Sequence, residues 1–587
     1  MVAGVSSAAV LGTVSMKAVD RRGKLIGEES QSIMGVSAIA TQGYFGLATG
    51  GTFNGRLESP RIMDSKDRIV AQWDTSINMS GWSIPGKSQT MKSISPLQLY
   101  QHPTRGVKGR KWDGTEFCWK HRPDHYGAIH FHDDDCYDFG WNSDFSWTIP
   151  VGIPSGIYIL HLTAKDDDGM PHTESLPIFI CPPLEHKPRK EQLCVLVSTF
   201  TYVVYGNHAR SDFDETAWTN RVREWGAYPH SPVLHPCYGL STYNFHSDGS
   251  GIHFASHQRP LFSLRPSYVS LAHTSCSGLR HFPADSHLIS FLHHQGMEYD
   301  VVTDHELHQR GVAALSGYSI LLTGSHPEYH SLETLNALQS FRDDHKGNLL
   351  YLGGNGFYWR IAVAPPLRSS EDEASLLEIR RAEDGVRTWA SEPGEYHHVL
   401  DPAASYGGLW RRNDRAPQKL VGVGFAAQGG FAGKPYRRRC HDPGMDWIWK
   451  GISKQDLESL GNFGFSGGGA AGFEWDRVDR RLDEDSHEVM ILAQAYDPEK
   501  AFMFVPEEVL TTYSNLSGLP EDEARRCDMV YFETESGARV FSVGSITFCG
   551  CLPWNNFDNC IATLLKNVIL EFISGENARY NTLLKTK

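Results

Sequence analysis

Tyr329, Tyr358 and Glu474 stand in loops whose composition suits oxygen donors. Tyr329 lies in SHPEYHS and Tyr358 in GNGFYWR. Both follow short apolar runs and sit in polar or glycine-bearing stretches, which are poor places to bury rings for packing alone. Glu474 is the first acid after GNFGFSGGGAAGF, a stretch so rich in glycine that it must fold tightly. Phenols paired with a carboxylate are hard donors and suit a small, highly charged cation. The plain alternative is that both tyrosines are packing rings and Glu474 is a solvated loop carboxylate. Tyr351, in NLLYLGG, is the rival to Tyr358.

Other clusters carry weaker chemistry. His130, His132, Asp133, Asp134 and Asp135 in HFHDDDC have the residue types of a zinc or calcium site. Strand alternation puts His130 and His132 on one face, and acids at a turn often bind backbone N–H groups instead. DHELH offers His305 and His308 one helical turn apart, without the H-E-x-x-H pattern; a helix start capped by Asp304 accounts for it. TYVVYGNHAR offers Tyr205, Asn207 and His208 to the same sheet edge as Tyr329. The run DRVDRRLDEDSHE (Asp476–Glu488) reads as a solvated face. No G-x-S-x-G elbow is present, and no cysteine sits on a strand-to-helix turn with flanking glycines, so covalent acyl transfer is disfavoured.

The elements that position the tyrosines are legible. SILLTG (Ser319–Gly324) and NLLYLGG (Asn348–Gly354) are short apolar runs, as buried parallel strands are. Between them, Ser331–His345 has helical spacing, with Leu332, Leu335, Leu338 and Phe341 on one side. LCVLVSTFTY and EYDVVTDHELH add two further strand ends, and Asn555–Gly575 is a closing helix with a stripe of Ile561, Leu564, Leu565, Val568, Ile569 and Phe572. In an open parallel sheet the loops after the strands share one edge, where ligands bind. This predicts one crevice for Tyr329 and Tyr358.

A chain of 587 residues exceeds one core and implies several domains. Residues 1–95 read as β-structure, with IVAQWDTS (Ile69–Ser76) alternating; FNGRLESPRI resembles the closing strands of a concanavalin- or laminin-G-like jelly roll, here partial. Residues 96–185 read as an immunoglobulin-like β-region, with strict alternation in SGIYILHL. Cys181–Gln192, rich in proline and charge, is the linker candidate, and 190–587 reads as α/β with a parallel sheet. A net charge of −14 argues against non-specific nucleic-acid binding. Eleven irregularly spaced cysteines fit reduced thiols in the cytoplasm. The N-terminus lacks the basic start of a signal peptide, and no run of about 20 apolar residues suggests a membrane span.

Long phrases carry a resemblance. YDVVTDHELH, LLTGSHPEYHS, YLGGNGFYWR, GFEWD and NNFDNCIATLLKNVI, with FNGRLESPRI, YGAIHFHDDD and SGIYILHL in the β-rich region, resemble the large-subunit family of N,N-dimethylformamidase. The resemblance implies a C-terminal domain like class I glutamine amidotransferases and a mononuclear non-haem iron, as Fe(III), held by two tyrosinates and a glutamate. Carried over by motif, these are Tyr329, Tyr358 and Glu474; His326, three residues before Tyr329, and Asn355, in the glycine loop, stand where supporting donors are needed and join Glu474 as candidate catalytic residues. It further implies hydrolysis of a small N-substituted formamide to formate and amine, a separate small subunit, and pairing into a hetero-oligomer. Two rivals stand beside it: an amidase for a bulkier amide, and a carbohydrate- or protein-binding module on a degenerate α/β scaffold.

Overall fold

The computed structural model describes residues 12–19, 25–33 and 53–575, apart from 64–65, 90–91, 143–145, 166, 190, 272–275, 365–375, 431, 480–487 and 512–523. Much of the segment expected to open a jelly roll, and most of the Asp476–Glu488 charge run, therefore lie outside the described residues. The chain divides into two compact units. The first comprises residues 1–135, 246–250 and 392–405; the second comprises 136–245, 251–391 and 406–587. Cys181–Gln192 falls inside the second unit. Among the described residues no helix is long and apolar enough to cross a membrane.

The first unit consists of short antiparallel pairings. Gly55–Glu58, Ala128–Phe131 and Thr104–Val107 form one three-stranded sheet, and Arg61–Met63, Ile69–Trp73 and Gly86–Ser88 form another. Ile84, Leu99, Ile129 and Phe131 make a small core. Arg105 is fully buried and anchors loops through backbone carbonyls of Thr75 at 3.0 Å and Gly81 at 2.9 Å. No closed barrel forms among the described residues.

The second unit is built on an eight-stranded sheet. Its order is Tyr299–Thr303, Leu193–Val197, Ile320–Thr323, Asn348–Tyr351, Arg539–Ser542, Arg526–Glu533, Met490–Tyr496 and Arg437–Arg438. The first five strands run parallel and the rest antiparallel. Both faces are covered: Leu193, Val195 and Val197 join one apolar cluster, while Cys194 and Leu196 join another. That two-sided burial explains why these strands read as continuous apolar runs. Helix Leu332–Asp343 starts where Ser331 accepts a hydrogen bond from the Thr334 amide. Helix Cys560–Ser574 is capped by Asn559 and closed by Gly575 at φ 69°. All six residues of its expected stripe are buried, each stabilising by about 1.5–3 kcal/mol.

Two smaller sheets lie in this unit. One orders Phe254–Ser256, Leu376–Ile379, Trp359–Ala364 and Tyr329–His330; the other orders Glu474–Arg477, Gly424–Gln428 and Met503–Phe504. The antiparallel hairpin Gly156–Lys165 with Pro171–Ile180 pairs with no further strand among the described residues. Two expectations are corrected. Helix Asp304–Arg310 is capped by Thr303, whose side chain accepts from the Glu306 amide; Asp304 is buried and binds the Phe200 amide at 3.0 Å. The start of the charge run is not solvated: Glu474–Arg477 is a buried strand, because Asp476 binds the Tyr351 hydroxyl and the Asn355 amide, both at 2.8 Å.

Candidate functional site

Strand Leu193–Val197 lies between Tyr299–Thr303 and Ile320–Thr323, so the chain leaves it first to one side and later to the other. The loops beyond such a reversal diverge and open a crevice at the strand C-termini. Thr201 Oγ1, from the segment after Val197, accepts from the amides of Glu328 at 3.0 Å and Tyr329 at 3.3 Å, from the segment after Thr323. This stitches the two loops together where their side chains meet.

Glu328 is the centre of that meeting and is completely buried. The Tyr243 hydroxyl lies 3.2 Å from each of its carboxylate oxygens. Tyr205 stacks on Tyr243, with ring centroids 4.2 Å apart, which brings its phenol to the same carboxylate. The Tyr329 hydroxyl lies 2.6 Å from the Tyr243 hydroxyl and accepts from Arg381 at 3.2 Å. Asn355 Nδ2 bridges two acids, donating to Glu328 at 3.0 Å and to Glu474 at 3.2 Å. His326 Nε2 lies 3.3 Å from Glu328 and 3.2 Å from Glu474. Its N–H aims squarely at neither oxygen, so the contact is electrostatic. Arg280 lies 3.4 Å from His326 Nδ1, the ring nitrogen turned away from the acids.

The environment separates the two carboxyls. Burial pushes Glu328 upward, and the Glu474 charge reinforces it against His326. Burial would raise Glu474 too, but His326, Arg280 and Arg387 outweigh it and hold that carboxyl at about 2. Burial, with Glu328 adding to it, drives the Tyr205 and Tyr243 phenols well above their ordinary range. Phenolates would form here only beside a cation. Two phenols and a buried carboxylate are the hard oxygen set such an ion takes, so the residues fit one. Tyr205, Tyr243 and Glu474 line a cavity of about 510 Å³ in this unit.

The local backbone is built for close approach. A Cβ on Gly353 would lie 2.4 Å from the Ser325 carbonyl, and one on Gly354 would lie 2.8 Å from the Glu474 carbonyl. Asn355, Phe357 and Phe473 all adopt left-handed φ, of 51°, 56° and 63°. Such conformations persist where the surroundings over-determine them, commonly at functional sites.

A family model described as N,N-dimethylformamidase beta subunit-like, C-terminal, matches residues 104–560. The chain belongs to that family. It is 32% identical over 565 residues to the N,N-dimethylformamidase beta subunit of Paracoccus aminophilus, spanning 90% of this chain and 69% of the relative. It is 31% identical over 555 residues to the protein of the same name from an Alcaligenes species, again spanning 90% and 69%. The family match contains every residue of the tyrosine–carboxylate cluster.

Of the residues singled out in the sequence, the structure brings Tyr329, Glu474, His326 and Asn355 together. Tyr358 lies apart, its hydroxyl donating to Glu508 at 3.0 Å. The reason is register: Trp359, not Tyr358, pairs with Tyr329, and alternation turns Tyr358 to the other face. Tyr351 is also committed elsewhere, donating to Asp476 and accepting from the Gly356 amide at 2.7 Å. Tyr205 and His208 line the cavity. Asn207 instead holds backbone, including the Pro260 carbonyl at 2.7 Å and the Phe262 amide at 2.9 Å. Glu328 and Tyr243 were missed. Glu328 stands beside Tyr329 in HPEY, where its neighbour drew the attention; Tyr243, in a long irregular segment, carries no sequence signal.

The HFHDDDC cluster does converge, within the first unit. His130, His132 and Asp248 form one candidate metal-binding group, and His132, Asp135 and His246 another, each with ligand atoms within 4.8 Å of one another. The His132 nitrogens already face partners, Asp135 at 3.1 Å and Ser250 at 2.9 Å, and the acids also bind the amides of His132 and Ser247. Similarly, His305 faces Thr199 at 2.7 Å and His308 faces Ser331 at 2.8 Å.

Proposed function

We propose that this protein is a metal-dependent hydrolase of N-substituted amides, releasing a carboxylate and an amine, with formamides as the first substrates to test. Membership of the N,N-dimethylformamidase beta subunit-like family supports it. The observation that carries it is the pair of cavity-lining phenols, Tyr205 and Tyr243, gathered on the buried Glu328 carboxylate. Those three would hold a single iron, as Fe(III). Tyr329 supports Tyr243 from behind, and Tyr358 has no part in the set. When bound, the ion supplies Lewis-acid polarisation of an amide carbonyl and acidification of water.

The chain's own residues divide the proton work. Glu474, held ionised, takes the proton from the attacking water and returns it to the departing nitrogen. The His326 Nε2–H faces the same carboxylate and offers a donor to developing negative charge. Asn355 fixes the spacing of Glu328 and Glu474 by donating to both. Water adds across the amide C–N bond, the carbon leaves as carboxylate, and the nitrogen leaves as protonated amine.

The relatives are named beta subunits, which supports a small partner subunit and a hetero-oligomer. A cytoplasmic location, a class I amidotransferase-like affinity for the parallel sheet, and jelly-roll and immunoglobulin-like affinities for the β-regions belong to the same reading. Metal analysis, a visible spectrum and amine and formate release from an amide panel test it together. An iron-free, colourless protein that releases no amine would overturn it and favour a binding module.

A further inference from the structure

The cavity beside Tyr205 and Tyr243 is larger than a dimethylated formamide requires. Its volume of about 510 Å³ falls in the range of roughly 300–1,000 Å³ found for drug-sized ligands. Three residues of its wall each hold a buried polar atom that has no hydrogen-bond partner among the described residues: Arg280 Nη1, His281 Nε2 and Ser263 Oγ. Each of these residues is only 7% exposed. Polar groups so buried are normally satisfied, and three such residues in the wall of one cavity point to a ligand that engages their side chains.

Arg280 is the distinctive member. One arm reaches His326, and the guanidinium lies 4.0 Å over the Phe473 ring, while the buried Nη1 has no hydrogen-bond partner among the described residues. The neighbouring cations are committed: Arg387 to Glu507 at 2.7 Å, Arg381 to Tyr329 at 3.2 Å and Arg210 to Asp212 at 2.6 Å. Glu474, the acid that acts most on Arg280, is engaged by His326 and Asn355. A buried guanidinium with no carboxylate in direct ion-pair contact among the described residues is costly to hold, and its planar fork matches a carboxylate. His281 also stands immediately before helix Phe282–His294, whose amino end favours negative charge.

We infer that Arg280, His281 and Ser263 form a carboxylate subsite, and that the preferred substrate is an amide whose N-substituent bears a carboxylate away from the scissile bond. This rests on the amide-hydrolase reading above. Water adds to the acyl carbon, the C–N bond breaks, and the acyl carbon leaves as carboxylate; the remote carboxylate is unchanged and the amine departs protonated. Trp359, Phe473 and Tyr268 on the same wall suit an apolar group carried on the same N-substituent.

The test compares N-formylphenylalanine with N-formylphenylalaninol, its neutral counterpart, in the wild-type protein and in Arg280→Met, Arg280→Lys and Ser263→Ala. The wild type should favour the carboxylate in kcat/KM by about 10- to 100-fold, the range for a charged hydrogen bond. Arg280→Met should bring that ratio toward one, Arg280→Lys should keep part of it, and Ser263→Ala should lower it with less risk to folding. The ratio cancels any general effect of Arg280 acting through His326. A wild-type ratio near one, or a ratio indifferent to Arg280→Met, overturns the subsite even if both amides are hydrolysed. Calorimetric titration with phenylpropionate separates the two readings. Binding by the wild type but not by Arg280→Met supports the subsite even where no amide is cleaved. No binding by the wild type overturns it.

Discussion

The Tyr243 hydroxyl sits 3.2 Å from both oxygens of Glu328, although 85 residues separate them in the chain. Neither residue gains from this contact as a packing device. Tyr243 is driven far up in pKa by burial and by Glu328, and Glu328 is driven up by burial itself. Both penalties are relieved by one cation, which lets the phenol ionise and the carboxylate keep its charge. Tyr243→Phe and Glu328→Gln should therefore each lower bound iron and cut amide turnover by at least about 100-fold, beyond what losing a contact to a ligand residue costs. The visible tyrosinate band should weaken per bound iron in Tyr243→Phe, where Tyr205 is the one phenolate left. Full iron content and colour in both variants would remove these residues from the metal site.

The two tyrosines that first drew attention should behave differently from each other. Tyr329 touches Tyr243 and Arg381, so Tyr329→Phe should weaken iron binding or activity by about 10- to 100-fold while leaving a coloured protein. Tyr358 binds Glu508, which keeps its Arg411 partner at 2.6 Å when the phenol is removed. Tyr358→Phe should therefore retain iron and turnover and lose about 1 kcal/mol of stability. Metal analysis with denaturant melts of both variants decides it. A Tyr358→Phe protein without colour would restore that tyrosine as a ligand.

This contrast also shows where the sequence was readable. Four of the five parallel strands, and the helices Leu332–Asp343 and Cys560–Ser574, follow from apolar runs and 3.6-residue spacing, because burial on both sheet faces leaves that imprint. His326, Tyr329 and Asn355 were reachable because loops after parallel strands must gather at one edge, and Glu474 because it is the first acid after a glycine-rich stretch. Tyr358 was mistaken for a neighbour of Tyr329, since the pairing register of a two-residue strand leaves no periodicity to read. Tyr243 was invisible for a related reason: it is positioned by ring stacking on Tyr205 and by Glu328, contacts no local pattern encodes. The charge run after Glu474 misled because its first acid is satisfied by Tyr351 and the Asn355 amide, partners remote in sequence.

Gly354 marks a close approach rather than an unusual backbone angle. A Cβ there would meet the Glu474 carbonyl at 2.8 Å and the Ile546 amide at 2.9 Å, both backbone atoms with little room to yield. Gly354→Ala should push the Asn355 loop away from Glu474. The expected cost is about 1–3 kcal/mol of stability from overpacking, together with loss of turnover disproportionate to the loss of folded protein. Circular dichroism melts beside activity per folded molecule measure both. An alanine variant with wild-type stability and turnover would show that this approach is not needed.

Asp304 gives a pH test away from the site. It is 1% exposed and accepts from the Phe200 amide, and burial raises its carboxyl to about 8. In the unfolded chain the same group titrates near 3.9, a value of about that size being usual for Asp. Between these two values the folded state keeps a proton that the unfolded state has lost. Ionisation therefore opposes folding: the penalty is absent below about pH 4, grows as pH rises, and levels off above about pH 8. A carboxamide at this position would not titrate but would still offer an oxygen to Phe200, so Asp304→Asn should be favoured more at pH 8 than at pH 5. The difference in Tm between variant and wild type should grow by at least about 2 °C over that interval. Because every other group titrates alike in both proteins, subtracting the two melting curves isolates this carboxyl. A Tm difference that stays constant from pH 5 to pH 8 would mean Asp304 is ionised throughout, with its charge compensated inside the fold.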